Sequence, residues 1–154
     1  MKVDSYTAAV HAALLSFQVM EEALKICIGM SYEIFDKSAP PPVVFKFNRA
    51  KISNSALSRL IEMFSEISTN DTLVSDLRKV VQWRNFCAHS AFMHHSMNKT
   101  GLSPFRPHTE LDVLNTAKFV TGLVERLATE MAAIRAAHYQ VFGESNCSSE
   151  LSGI

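Results

Sequence analysis

The sequence predicts an all-α fold, a four-helix up-down bundle, on three observations. Apolar residues recur at three-to-four-residue spacing along four long stretches, as helices that bury one face require. A triple proline, Pro40-Pro41-Pro42, divides the first stretch from the others. The one short run that alternates, Val43-Val44-Phe45-Lys46-Phe47, has no second strand to pair with and reads as an extended connector packed through its two phenylalanines. At 154 residues, with 47% hydrophobic and 19% charged side chains, the chain has material for a single core and is a poor match to intrinsic disorder. One domain is expected over residues 1–143, followed by a serine-rich tail, 144–154, with little to bury.

Asp4 or Ser5 can cap a first helix running to about Phe35. Ala9, Val10, Ala13, Phe17, Met20, Leu24, Cys27 and Ile28 belong to an apolar surface covering more than half its circumference. Such a helix is either central in a bundle or buried twice, once in its own core and once against another subunit. From Asn48, a second helix runs to about Ile67 on the stripe Ile52, Leu57, Leu60, Ile61, Phe64. Ser68 to Asp71 form a capping turn into a third helix, and short connections place these helices antiparallel. His94 to His108, with Gly101, Pro104 and Pro107, reads as a long irregular loop. Thr109 with Asp112 resembles a capping box for a fourth helix that runs toward Phe142 and stops at Gly143.

The third helix carries the unusual feature. Leu73, Leu77, Val80 or Val81, Ala88 and Ala91 or Phe92 form its buried stripe, and Arg84 falls inside it. Burying a guanidinium costs several kcal/mol unless its donors are paired. Asn85 and His89, four residues apart, share one face at the edge of the stripe. Composition alone favours a satisfied polar cluster, in which Arg84 reaches a partner carboxylate and the other two are merely solvated. Glu21 or Glu22 on the first helix is the local counter-charge for Arg84 if the two helices are neighbours. Trp83 and Phe86 fit core or dimer packing ahead of a stacking platform for a base.

Arg84-Asn85, three residues, then His89, late in the third helix, resembles the Arg-x4–6-His motif of the HEPN superfamily. Met20-Glu21-Glu22-Ala23-Leu24-Lys25 also resembles that family's first helix, and the helix order fits along residues 4 to 142. The resemblance implies a HEPN-type bundle acting as a homodimer, with the motifs of two subunits facing a shared cleft. It implies a metal-independent endoribonuclease of toxin or defence type, with Arg84, Asn85 and His89 catalytic. A nucleotidyltransferase-type antitoxin is a partner of many toxin members, acting on a tyrosine two residues after the histidine. Here that position is Ala91. Some proteins of similar fold, such as mannitol-operon-repressor-type regulators, are instead non-catalytic adaptors working through protein partners. In that case the three residues form a buried polar network that fixes helix register or joins the dimer.

Formal net charge is zero, so the whole molecule gives no argument for nucleic acid. The distribution does, because no acidic residue lies between Asp76 and Glu110. Lys79, Lys99, Arg106, His94 and His95 in that window are the candidate RNA contacts, with Lys99 and Arg106 on a lid over the groove. Equally, other helices can supply the missing acids. His89, His94, His95 and His108 lack a zinc-ligand pattern, so neither metal nor cofactor is expected. Cys27, Cys87 and Cys147, odd in number and far apart, suit reduced thiols in a cytoplasm. The uncharged run from Ser5 to Met20 is too short to span a bilayer and contains His11, Ser16 and Gln18, so no membrane association is expected.

Overall fold

The computed structural model describes residues 3–102 and 108–143. The tail from 144 and Arg106 lie outside the described residues. Among those described the fold is helical without strands. Helix α1 spans Ser5–Ser38, with the Asp4 carboxylate accepting from the Thr7 backbone N–H. It ends at Ala39, held extended because Pro40 follows. The connector then lays Phe45 and Phe47 against Tyr32, edge to face at 5.3 and 5.5 Å between ring centroids.

The expected second helix is two short ones, α2 (Arg49–Ser53) and α3 (Leu57–Ser65). The break follows Ser53, at Asn54-Ser55-Ala56. Short polar side chains there compete with the helix for backbone partners, and the Ser55 hydroxyl donates to the Lys51 carbonyl at 2.6 Å. The expected third helix is a segmented run: α4 (Asp71–Lys79), α5 (Val81–Asn85), a π-helical turn (Phe86–Ser90) and α6 (Ala91–Lys99). In the π turn the Ala91 N–H reaches the Phe86 carbonyl, five residues back. The helix therefore extends beyond Phe92, and His94, His95 and Lys99 stand on α6 instead of a loop. Gly101, at φ +71°, closes α6. Leu102 N–H donates to the Met97 carbonyl and Gly101 N–H to the Asn98 carbonyl, a Schellman cap. Helix α7 (Glu110–Phe142) begins with the Thr109–Asp112 capping box and stops at Gly143, as read from the sequence.

Two pairings fix the arrangement of the long helices. Ser5 on α1 donates to Glu110 on α7, and Glu33 bonds His138 near their other ends. Helices α1 and α7 therefore run parallel. An up-down bundle of four helices would make the first and last antiparallel, so that expectation is corrected. The return is made by α4–α6, antiparallel to α7 through Asn70–Glu130 and Asp76–Arg126. The broken α2–α3 segment provides no fourth long helix. The core between these elements is apolar and sealed, with Phe17, Met20, Leu24, Leu60, Phe64, Leu77 and Leu127 fully buried. Cys27 and Cys87 are buried free thiols, and burial pushes Cys27 up to about 11.

Hydrogen bonds from Arg126 and then Lys79 hold the Asp76 carboxyl below its ordinary value of 3.8. A depressed carboxyl stabilises the fold above its unfolded-state value, and that contribution disappears as pH falls through the folded one. Asp76→Asn is expected to melt below the parent protein at neutral pH, with the two curves converging below about pH 4. Thermal circular-dichroism scans across that range check the sign.

Candidate functional site

Arg84 sits where the stripe requires it, between Val80 and Cys87, both buried. The stripe continues through Cys87 and not Ala88, which is exposed. Arg84 is kept from the hydrocarbon by Glu21 of α1, whose Oε1 accepts from Nε at 2.9 Å. Their side chains remain 30% and 16% exposed, so this pair lies at the rim of the core. Glu22 is not the counter-charge; it points to solvent and pairs with Lys25. Because the bond to Glu21 uses Nε, the two terminal nitrogens of the guanidinium are not committed to it.

Asn85 and His89 are both exposed. Among the described residues neither side chain makes a hydrogen bond, ion pair or ring contact. Their stripe continues through Phe92 to Lys99. It adjoins an exposed stripe of α1 where the His11 and Phe92 rings meet edge on at 5.7 Å. That α1 stripe, Leu15, Val19 and Ile26, is apolar although exposed. With Val124, Ala128 and Met131 of α7 it lines a groove of about 470 Å³. Arg84, Asn85 and His89 do not line that groove; the His11–Phe92 contact links the motif helix to the groove's α1 stripe.

The remaining sequence candidates are not gathered there. Lys79 pairs with Asp76 and borders a small cavity beside Trp83 and His108, on another face. His94 packs edge on against Phe86. His95 stacks on Tyr6 at 4.2 Å, its Nε2 buried without a hydrogen bond and 3.5 Å from Asp4. Lys99 lies 3.8 Å from the same carboxylate, which is held below its ordinary range chiefly by the Thr7 N–H. Trp83 and Phe86 are half-buried and close around His108, both at 4.6 Å. The acid-free window is therefore not an acid-free surface. Glu62, Asp76, Glu21 and Asp4 face Arg78, Lys79, Arg84 and Lys99 in turn. Among the described residues no three His, Cys, Asp or Glu side chains are grouped as metal ligands would be. No described helix is long and apolar enough to cross a membrane. Ala91 is fully buried and has no hydroxyl, so tyrosine-directed modification has no target at that position.

Compared with known proteins, the chain matches no family model, no curated protein and no solved structure.

Glu21→Ala removes the carboxylate that Arg84 bonds. Water reaches part of the guanidinium, so the expected cost is about 1 kcal/mol. Glu22→Ala, at a solvated position, is expected to cost under about 0.5 kcal/mol. Urea titrations of the two variants measure the difference.

Proposed function

We propose that this protein is a HEPN-type endoribonuclease of the toxin or defence class, working as a homodimer and without a metal. One observation carries the reading: Asn85 and His89 are solvent-facing and uncommitted beside a guanidinium whose terminal nitrogens are free of Glu21. The alternative is an adaptor in which the three form a polar network that fixes helix register or joins the dimer. Within one chain, Asn85 and His89 have no partner for the first role among the described residues.

The chemistry follows from these groups. The 2′-hydroxyl of RNA attacks the adjacent phosphorus, and the P–O5′ bond breaks to leave a 2′,3′-cyclic phosphate and a 5′-hydroxyl. The phosphorane gains negative charge, which the permanently protonated Arg84 stabilises. Asn85 donates its amide to a phosphate oxygen or orients the imidazole. One proton must leave the 2′-hydroxyl and another must reach O5′. His89 can serve either transfer, since imidazole ordinarily titrates near neutrality. A single chain contributes one motif histidine, so two copies facing each other supply both. The exposed Leu15, Val19 and Ile26, on the α1 stripe that the His11–Phe92 contact joins to the motif helix, are suited to bury that dimer contact. DNA lacks the nucleophile and is not a substrate.

Purified protein incubated with RNA in EDTA is expected to cleave it and leave cyclic phosphate ends. Arg84→Ala and His89→Ala, with unchanged helical circular dichroism, are each expected to slow cleavage by at least about a hundredfold. Cleavage indifferent to both substitutions, or none by the parent protein, rejects this reading in favour of the adaptor. Separately, light scattering is expected to show a dimer that Leu15→Glu with Val19→Glu converts to monomer, with loss of cleavage.

A further inference from the structure

A second cavity, of about 460 Å³, lies where the connector and α2 meet α1 and α3. Tyr32, Phe45 and Phe47 form one side, and Lys46, Lys51 and Arg59 stand around it. Its volume is in the range of small-ligand sites, and aromatic walls with a few polar groups are their usual lining. The charge arrangement differs from that of the motif helix. There, each described lysine and arginine in the acid-free window faces a carboxylate. Lys46, Lys51 and Arg59 have no ion pair among the described residues.

Glu62 and Glu33 are already engaged by other cations, although Arg59 also acts on Glu62 from a distance. Glu62 is held by two hydrogen bonds from Arg78. Glu33 is shared by Arg49 and His138. Glu66 acts on the Tyr32 hydroxyl, where Arg59 opposes it. No acid lines the cavity itself. Three cations around aromatic rings match a ligand that is both planar and anionic: the ring lies against Phe45 and Phe47, and the anion falls between the ammonium and guanidinium groups.

We propose that this cavity binds a nucleotide unit, its base against Tyr32, Phe45 and Phe47 and its phosphate between Lys46, Lys51 and Arg59. The site is separate from the Arg84 surface. Tyr32 is three turns beyond Glu21 on the same side of α1, about 16 Å along the axis. The inference does not require cleavage, because it rests on binding groups that the reaction does not use.

The test measures binding directly. AMP and UMP are titrated by calorimetry, and a short fluorescein-labelled single-stranded DNA, which has no 2′-hydroxyl, by fluorescence anisotropy. At least one probe is expected to bind. Binding of the mononucleotides identifies a free nucleotide as sufficient, and binding of the oligomer alone assigns the unit to a strand. Lys51→Glu with Arg59→Glu, both exposed positions, is expected to weaken binding at least about tenfold. It should also lower the salt slope by about 1 per cation removed. Phe45→Leu, which keeps the apolar volume, is expected to weaken binding without changing that slope. Lys118→Ala, which removes an exposed cation on α7, should bind like the parent protein. The inference is overturned if no probe binds, if the double charge reversal leaves affinity unchanged, or if inorganic tripolyphosphate binds as tightly as nucleotide.

Discussion

The rest of the structure follows from two helices of about 50 Å that must lie together and point the same way. Helix α1 buries a continuous stripe from Tyr6 to Ile28, and α7 faces it with Val113, Val120, Leu123 and Leu127. Parallel neighbours cannot be joined by a short turn. The chain has to travel back along the pair, and α4–α6 is that return. Its course brings residue 84 opposite residue 21, midway along α1. The position of the candidate site is thus a consequence of helix direction.

Charge placement is governed by the same packing. Arg84 lies in line with Val80 and Cys87, so its backbone faces the core whatever its side chain does. Glu21, at the edge of the α1 stripe, lets the guanidinium stop at the rim. Elsewhere a sequence window without acids becomes a surface with them, because helices distant in sequence are neighbours in space. Asp4 and Glu62 are respectively 95 and 16 residues from the cations they face. Local charge along a chain is for this reason a weak guide to local charge on a helical protein. Lys46, Lys51 and Arg59 are exposed and form no ion pair among the described residues, although Arg59 acts on Glu62 from a distance.

The long elements were legible because their signals are local. Asp4, Pro40, the Thr109–Asp112 box and Gly143 each act on backbone groups within a turn, and α1 and α7 end where these residues dictate. The Arg84 position and its glutamate partner on α1 were legible for a different reason: a charge in an apolar stripe demands a neighbour. What escaped depends on competition between near-equal local choices. Cys87 and Ala88 are both small enough for the core, so pattern alone does not decide which faces it. The π turn at Phe86–Ser90 has no glycine or proline to mark it. Asn54-Ser55-Ala56 breaks a helix that the apolar spacing would continue. Gly101 was the available signal that α6 runs to Lys99, but nearby prolines made the whole segment look irregular. Helix direction is hardest, since the parallel pairing of α1 with α7 comes from contacts 105 residues apart.

An arginine bonded to a carboxylate through one nitrogen still has other donors for a second anion. An unpartnered guanidinium at the edge of a core would fold outward into water and lose its fixed position. The Nε bond to Glu21 pins the planar group while leaving its terminal nitrogens for a second anion. Holding a cation still before substrate arrives is the main contribution a protein makes to charge stabilisation, because no reorganisation remains for the reaction step. Asn85 and His89 have no comparable pinning from within the chain, since both are exposed. In the proposed dimer, a second copy seated there would exclude water and limit their rotamers. On that reading Glu21 supports the site from one side and the partner surface from the other, and Arg84 is fixed before dimerisation whereas His89 becomes fixed with it.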